Sequence, residues 1–346
     1  MPKQRNGSKG SKGSKGSPLL YKESNKSNEP TVVLKKHNNA NENVKFGGGV
    51  SNVNAPLVAT TLAINHQLYG FPVTFSAGIP EKAIQATITS FSDPDSKFNR
   101  WCKPCLDNKI EIRSVSIDAV TMFGPNIGFL FFTASAFDEE NNPIPGTVFL
   151  RGDSVCCLLI IKEVSDGSEN PSGSSSSGGG GSNMDTTSHA SSPKYYMVVV
   201  EEIKLPVSRA ICQTPAGMLD GSYNMKGKMI DEIKEETGIT ISNNTAKYTS
   251  IPSGEMPLNT LIEFDEFIPS QGGCDEKIKV FSYTCERTKS EMDAINQSIQ
   301  GKREEFEKIK VHIKPLSWAI IDDLKDSKLL IAASKFERKF PGYIQP

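Results

Sequence analysis

The sequence predicts an α+β protein, in which strands pair mainly in antiparallel fashion and helices are interspersed among them. Residues 111–121 alternate apolar and polar side chains, as a half-buried strand does. Residues 155–161 form an unbroken apolar run, which is typical of a strand buried on both faces. Residues 225–237 carry apolar side chains at helical spacing, with acidic side chains on the other side. Elements mixed in this way indicate the α+β class.

A small antiparallel meander is predicted in the first half of the chain. After the strand at 111–121, the turn residues of 122–126 lead into a second strand over 127–136. The Asn-Asn-Pro sequence at 141–143 turns the chain again, and residues 147–150 form a third strand.

Two stretches are too dilute in apolar residues to form a core. Residues 1–55 repeat Gly, Ser, Lys and Asn, which predicts a disordered basic tail. A transit peptide is the alternative interpretation, but the cations are mostly lysines and glutamates accompany them. We therefore expect a cytoplasmic protein, with a plastid or another organelle as the alternative.

The second dilute stretch, residues 165–193, has the Ser/Gly composition of a flexible linker. Its flanks, 155–161 and 195–200, are short apolar runs, and neither is long enough to be a domain edge with its own core. We predict two adjacent antiparallel strands joined by an overgrown, disordered loop, because loop-closure entropy rises slowly with length.

Composition excludes several classes of partner. The 346 residues allow two domains, or one domain with appendages. With 39 basic and 40 acidic residues the formal net charge is −1, which does not fit the basic footprint of a nucleic-acid binder. No run approaches the eighteen apolar residues of a spanning helix, so no membrane partner is predicted.

The second half of the chain mixes further strands with helices. The helix at 225–237 ends at Gly238, a natural C-terminal cap. The elements predicted after it are strands at 258–268 and 277–284, a helix at 288–299, a strand at 308–314 and a helix at 325–337.

The helix at 225–237 carries the most informative pattern. Glu232, Glu235 and Glu236 lie at i, i+3 and i+4 and share one face, where like charges destabilise a bare helix. A solvated acidic surface is the simpler interpretation. The functional interpretation is a site for a hard cation, Mg²⁺ or Mn²⁺, whose preferred ligands are carboxylate oxygens.

The glutamates belong to a longer sequence frame. This chain reads Asp-Glu-Ile-Lys-Glu-Glu-Thr-Gly-Ile over residues 231–239, and a glycine, Gly217, precedes Asp231 by fourteen residues. This frame resembles the signature of the Nudix hydrolases, which has a glycine, then a glutamate, and then the run Arg-Glu-aliphatic-x-Glu-Glu-x-Gly-aliphatic. The residues in register are Gly217, Glu232, Ile233, Glu235, Glu236, Gly238 and Ile239.

The resemblance is closest to the ADP-sugar diphosphatase branch, and in particular to its plant enzymes. It covers roughly residues 95–340 and is carried by segments 122–130, 145–152, 215–220 and 269–276. It implies an N-terminal region at 56–150 with a β subdomain for dimerisation and substrate contact. It further implies a Nudix α/β/α sandwich at 151–340 that contains the loop at 165–193, and a homodimer.

The resemblance implies metal-dependent hydrolysis of a nucleoside diphosphate sugar, ADP-glucose or ADP-ribose, to AMP and a sugar phosphate. The implied metal ligands are the Ala216 carbonyl, Glu232, Glu235 and Glu236. Glu276 is implied as the general base, with Asp275 as the near alternative and Glu235 in a supporting role. The implied substrate-binding residues are Arg151, Lys204, Gly217 and Gly273, although Arg151 and Lys204 could equally be ordinary surface cations.

Two positions depart from the signature. Tyr223 occupies the first glutamate position, and Asp231 occupies the position of the arginine. An anion in place of a cation beside three glutamates is expected to raise the pKa of those glutamates. The alternative function is therefore a catalytically weak or inactive Nudix-fold protein that binds a nucleotide.

Overall fold

The computed structural model describes residues 33–35, 61–66, 68–166, 194–219, 224–302 and 307–346. Two sheets with helices packed on them make up this part of the chain, which confirms the α+β class. Most of the predicted tail, nearly all of the Ser/Gly-rich loop and Tyr223 lie outside the described residues. Across the described ranges, no helix combines the length and the apolar character that crossing a bilayer requires.

The first sheet has seven strands and ends before residue 151. Its order is β1-β2-β3-β4-β5-β6, and β7 also pairs with β5. The strands are β1 (Val33–Lys35), β2 (Thr61–Asn65), β3 (Pro72–Phe75), β4 (Glu111–Phe123), β5 (Asn126–Phe137), β6 (Pro143–Ile144) and β7 (Thr147–Leu150). The predicted antiparallel meander is confirmed as β4, β5 and β7. Helices α1 (Glu81–Ser90) and α2 (Lys97–Asp107) precede the meander and contribute to the same core.

The second sheet has nine strands in the order β12-β13-β14-β8-β9-β16-β15, with β10 paired to β9 and β11 paired to β8. The strands are β8 (Ser154–Val164), β9 (Tyr195–Lys204), β10 (Arg209–Gln213), β11 (Ala216–Met218), β12 (Thr245–Lys247), β13 (Leu261–Glu263), β14 (Ile278–Thr288), β15 (Ile299–Gln300) and β16 (Ile309–Pro315). Strand β8 has β14 parallel on one side and β9 antiparallel on the other, so it lies near the middle of the sheet.

The strands that flank the Ser/Gly-rich stretch are neighbours, as the sequence predicted. In the antiparallel ladder of β8 and β9, Leu159 lies opposite Val198 and Ile161 lies opposite Tyr196. The stretch is therefore an insertion between two paired strands of one sheet, and no boundary between sheets falls there.

Helices cover both faces of the second sheet. Val155 and Cys157 of β8 share a buried cluster with α3 (Met225–Thr237) and α4 (Lys289–Ile295). The alternating residues Cys156 and Leu158 share another with α6 (Ser327–Lys339). Because successive side chains of a strand point to opposite faces, the result is an α/β/α sandwich with β8 buried on both sides.

Several elements differ from the predictions, and helices α1 and α2 are among those that were not predicted. The predicted helix at 288–299 ends at Ile295, because Asn296 is extended and Gln297 has a positive φ of 69°. The predicted strand at 258–268 is reduced to β13, since Asn259 has a φ of 51° and interrupts it. A short helix, α5 (Trp318–Leu324), was not predicted; it precedes α6, which starts after the capping side chain of Asp326.

Candidate active site

Helix α3 is fixed at both ends and anchored to the sheet between them. The Asn224 side chain accepts the Gly227 N–H at its start, and Gly238 ends the helix with a φ of 72°, a conformation that glycine adopts without strain. Buried Met229 and Ile233 pack against the sheet. The bounds agree with the predicted helix at 225–237 and bring the neighbouring glutamates against β11.

Gly217 and Glu232, which are fifteen residues apart in sequence, are in direct contact. A Cβ atom added at Gly217 would lie 2.5 Å from Glu232 Cγ and closer still to the carboxylate. Gly217 itself is held opposite Val155 in the ladder of β11 and β8. The carboxylate of Glu232 therefore occupies the space that any other residue at 217 would fill, which explains why the motif needs glycine there.

Glu236 is held by the backbone of the same strand. Ala216 N–H donates to Glu236 Oε2 at 3.0 Å, and the Glu236 side chain is buried. Pro215 O and Leu219 N bond towards β8, so the backbone groups of Ala216 face the opposite way. The Ala216 carbonyl therefore lies on the side of β11 that faces the glutamates.

The two buried carboxylates disfavour each other's charge. Burial raises the pKa of Glu236 well above its ordinary value, and the neighbouring Glu232 raises it further. Burial also raises the pKa of Glu232, although the Lys228 ammonium 2.6 Å away opposes the rise. Two acidic side chains that share a buried position beside a backbone carbonyl are a donor set that fits a divalent cation.

Glu235 lies further from the buried pair. Its side chain is about one-third exposed, and its carboxylate forms an ion pair with Lys302 Nζ at 3.0 Å. The structure thus brings Glu232 and Glu236 together with Ala216 and turns Glu235 towards the chain segment that follows α4.

Asp231 is exposed, unlike the two buried glutamates. Burial is the largest cause of the raised pKa of both Glu232 and Glu236. Successive residues are about 100° apart around a helix, so Asp231 faces solvent when Glu232 faces β11. The cation beside Glu232 is Lys228, one helical turn earlier.

Lys204 lies on the side of β9 that faces Glu236. It forms an ion pair with Glu202 on the same strand. The charge of Lys204 lowers the pKa of Glu236, and that of Glu202 raises it. Lys204 therefore adds positive charge at the edge of the buried pair.

A second group forms where the loop before β14 meets the start of β8. Asp275 Oδ1 accepts the backbone N–H groups of Arg151 at 2.8 Å and Gly152 at 3.1 Å. Glu276 Oε1 accepts the Ser154 hydroxyl at 2.7 Å. The other oxygen of Glu276 lies 3.3 Å from Arg151 Nη1.

Gly273 joins this group through its backbone. Its carbonyl accepts the Phe149 N–H at 2.7 Å, which ties the loop to β7. Open space surrounds the position where a Cβ of Gly273 would stand. A ligand could therefore approach the loop closely at this residue.

One N–H group of the Arg151 side chain has no hydrogen-bond acceptor among the described residues. This group is the buried Nε. A buried donor without an acceptor is costly, and an anionic oxygen of a ligand would satisfy it. Ser154 lies opposite Met218 in the ladder of β8 and β11, so this group adjoins the glutamates. Among the described residues, however, no hydrogen bond or ion pair joins Glu276 to Glu232 or Glu236.

Sequence reasoning did not assign Lys228, Glu202, Ser154 or Lys302 to the site, although it noted Lys228 as a cation near the acidic face. Lys228 could have been found, because it lies four residues before Glu232 on the same helical face. The other three are brought to the site by strand pairing and by the segment after α4, which leave no local pattern in the sequence.

Comparison with known proteins finds sequence similarity to a Nudix hydrolase. No family model matches the chain. The chain is 27% identical over 277 residues to Nudix hydrolase 14, chloroplastic, of Arabidopsis thaliana, with 77% of this chain and 76% of the relative aligned. A solved structure described as an ADP compounds hydrolase aligns with a TM-score of 0.40 and 12% identity, covering 68% of this chain and 97% of that chain.

Substitution Gly217→Ala should displace the Glu232 carboxylate, because the new methyl group would overlap it. We expect Mn²⁺ affinity, measured by titration calorimetry, to fall by about tenfold or more. Gly272→Ala is the matched control, since open space surrounds that position. Equal Mn²⁺ affinity in the two variants would contradict a role of the contact between Gly217 and Glu232 in metal binding.

Substitution Glu236→Gln should change how stability depends on pH in a metal chelator. The folded-state pKa of Glu236 is raised above its ordinary value of 4.5. The contribution of this carboxyl to stability is therefore full below that value and is lost as the pH rises through the raised pKa. We expect the melting temperature of the wild type to fall relative to that of Glu236→Gln as pH rises.

The matched control for this comparison is Glu255→Gln, which changes an exposed glutamate. A difference in melting temperature between the wild type and Glu236→Gln that stays constant with pH would contradict the raised pKa of Glu236.

Proposed function

We propose that this chain is a Nudix hydrolase that uses a divalent cation to cleave the diphosphate bond of a nucleoside diphosphate sugar. The proposed substrates are ADP-glucose or ADP-ribose, and the products are AMP with glucose 1-phosphate or ribose 5-phosphate. The observation that carries the proposal is the packing of Glu232 against Gly217, with Glu236 on the Ala216 N–H. Similarity to a Nudix hydrolase over most of both chains supports it.

The proposed ligands of Mg²⁺ or Mn²⁺ are the Ala216 carbonyl, Glu232 and Glu236, with Glu235 in a supporting role. A bound divalent cation neutralises diphosphate charge and lowers the pKa of a bound water. The raised pKa of Glu236 means that cation binding competes with a proton at this carboxyl. Lys228 holds the Glu232 carboxylate at 2.6 Å and so fixes its orientation.

We propose that the substrate diphosphate lies against Arg151, Lys204, Gly217 and Gly273. The unpaired, buried Nε of Arg151 supports this, because a phosphate oxygen can accept its proton. Lys204 supplies positive charge near Glu236. Open space surrounds Gly273, which has no side chain, so a ligand can approach its backbone closely. At Gly217 the Glu232 carboxylate fills that space, so Gly217 would act through its contact with this carboxylate.

We propose Glu276 as the general base. Asp275, the alternative, accepts two backbone N–H groups with one oxygen, which suits a carboxylate that fixes a loop. Glu276 instead contacts Arg151 with Oε2 at 3.3 Å. If a phosphate takes the place of Glu276 on Arg151, that oxygen becomes free to accept a proton from water.

A weak or inactive nucleotide-binding protein is the second candidate, because Asp231 replaces the arginine of the signature. The ion pair of Lys228 with Glu232 favours the hydrolase, since it supplies a cation beside the glutamate from another position. The homodimer and the cytoplasmic location stay predictions, with an organelle as the alternative location.

The decisive experiment incubates the protein with ADP-ribose or ADP-glucose and Mg²⁺ or Mn²⁺, and measures AMP by chromatography. We expect AMP from the wild type and none from Glu236→Gln. Glu276→Gln should lower kcat by about 100-fold or more while leaving Mn²⁺ affinity unchanged. Arg151→Met should raise KM for the same substrate.

Glu255→Gln, which changes an exposed carboxyl away from the site, is the control and should keep full activity. Absence of AMP together with a nucleotide-induced rise in melting temperature would favour the second candidate. Full activity of Glu276→Gln would exclude that residue as the base.

Substitution Lys228→Met should leave Glu232 buried without its cation. In a chelator we expect a loss of about 1–3 kcal/mol in the free energy of unfolding. Added Mn²⁺ should raise the melting temperature of this variant more than that of the wild type, because the metal then replaces the missing charge. Lys228→Arg should behave as the wild type.

Lys234→Met is the matched control, since Lys234 is exposed on the same helix. An equal Mn²⁺ effect on Lys228→Met and on the wild type would contradict the proposed role of Lys228.

A further inference from the structure

Glu201, Cys212 and His312 converge on the second sheet, apart from the candidate active site. One ligand atom from each of them lies within 4.8 Å of the other two. His312 Nε2 is 3.0 Å from Glu201 Oε2, and Cys212 Sγ is 3.7 Å from the same oxygen. A carboxylate, a thiol and an imidazole are thus gathered around one point.

Strand pairing builds this group from three adjacent strands. Cys212 of β10 lies directly opposite Glu201 of β9. On the other edge of β9, Lys310 of β16 lies opposite Glu201, so His312 is its diagonal neighbour on the same face. The sheet itself therefore sets the spacing of the three side chains.

The group lies on the opposite face of β9 from the candidate active site. Val198 of β9 packs in the cluster beneath α3, and Glu202, four residues further along the strand, points to the same face. Its neighbour Glu201 points to the other face, where Val199 and Cys212 pack with the core beneath α6. A metal held here would be separate from one held by Glu232 and Glu236.

We propose that Glu201, Cys212 and His312 form a binding site for a transition metal of the Zn²⁺ type. Thiolate, imidazole and carboxylate are the ligands that Zn²⁺ prefers, and with bonds of about 2.0–2.3 Å their donor atoms lie about 3–4 Å apart. The separations of 3.0 and 3.7 Å from the Glu201 oxygen to His312 Nε2 and Cys212 Sγ fall within that range. A carboxylate and a thiolate also balance the charge of one divalent ion.

Gln297 orients the imidazole for this role. Its side-chain nitrogen lies 2.9 Å from His312 Nδ1. The nitrogen and oxygen of the amide exchange places when it turns by 180°, and the oxygen then accepts Nδ1–H, which leaves the lone pair of His312 Nε2 for the metal. The Glu201 side chain is 38% exposed, so a water can complete a four-coordinate site from the solvent side.

The metal exchanges for a proton at Cys212. Burial, and then Glu201, raise the pKa of the Cys212 thiol, while Lys314 and Lys310 lower it. Without a metal the thiol keeps its proton and donates it to Glu201. Metal binding removes this proton to solvent and forms the metal–sulfur bond, with no change of oxidation state.

Cobalt(II) added to the full-length protein tests the proposal, because a thiolate ligand gives a sulfur-to-cobalt charge-transfer band that a carboxylate site lacks. We expect this band in the wild type and its loss in Cys212→Ser. Cys274→Ser is the matched control, as Cys274 is also a half-buried free cysteine. The double variant Glu232→Gln with Glu236→Gln should keep the band, which separates this site from the candidate active site.

Zn²⁺ titration supplies the second measurement. The wild type should bind one more ion per chain than Cys212→Ser. Glu201→Gln and His312→Gln should each lower the affinity for that ion by about tenfold or more. Absence of the cobalt band in the wild type, or its survival in Cys212→Ser, would overturn the proposal. The three residues would then be a hydrogen-bonded cluster only.

Discussion

The contact between α3 and β11 is the interaction on which the candidate site depends. Glu232 occupies the space left by Gly217, and Glu236 accepts the Ala216 N–H. Burying two carboxylates is costly, so such a pair persists only where backbone donors or cations compensate. Strand β8 provides the support, since it is buried on both faces and holds β11 along its edge. The free energy gained by burying apolar side chains in the sandwich thus offsets the cost of burying two carboxylates at its edge.

Local pattern predicted the parts of the fold in which neighbours in sequence are also neighbours in space. Helix α3 has its predicted bounds because helical periodicity, an Asn cap and Gly238 agree. The pairing of β8 with β9 followed from two short apolar runs. By contrast, the helix after β14 was predicted too long, because apolar spacing continued beyond the positive φ of Gln297. A backbone reversal of this kind at a residue other than glycine leaves little trace in composition.

Within the site, too, the sequence predicted contacts between residues that are close along the chain better than contacts between distant ones. The spacing of the glutamates and their glycine was readable, since all lie in one motif. The group of Arg151, Asp275 and Glu276 joins residues more than 120 positions apart. Such a group depends on the loop before β14 meeting the start of β8, which only the resemblance suggested. Whether Glu276 acts as the base stays a prediction, although its contact with Arg151 gives that role a physical route.

Position 231 carries aspartate where the signature has arginine. Its place on the helix, more than its charge, decides whether it contacts the Glu232 carboxylate. Asp231 is adjacent to Glu232 in sequence, but it faces solvent, where its charge is screened. Lys228 is four residues away, yet its ammonium lies 2.6 Å from the carboxylate. A cation one turn earlier therefore contacts a buried glutamate from which the adjacent anion points away. The loss of the signature arginine is for this reason weaker support for an inactive protein than the sequence alone suggests.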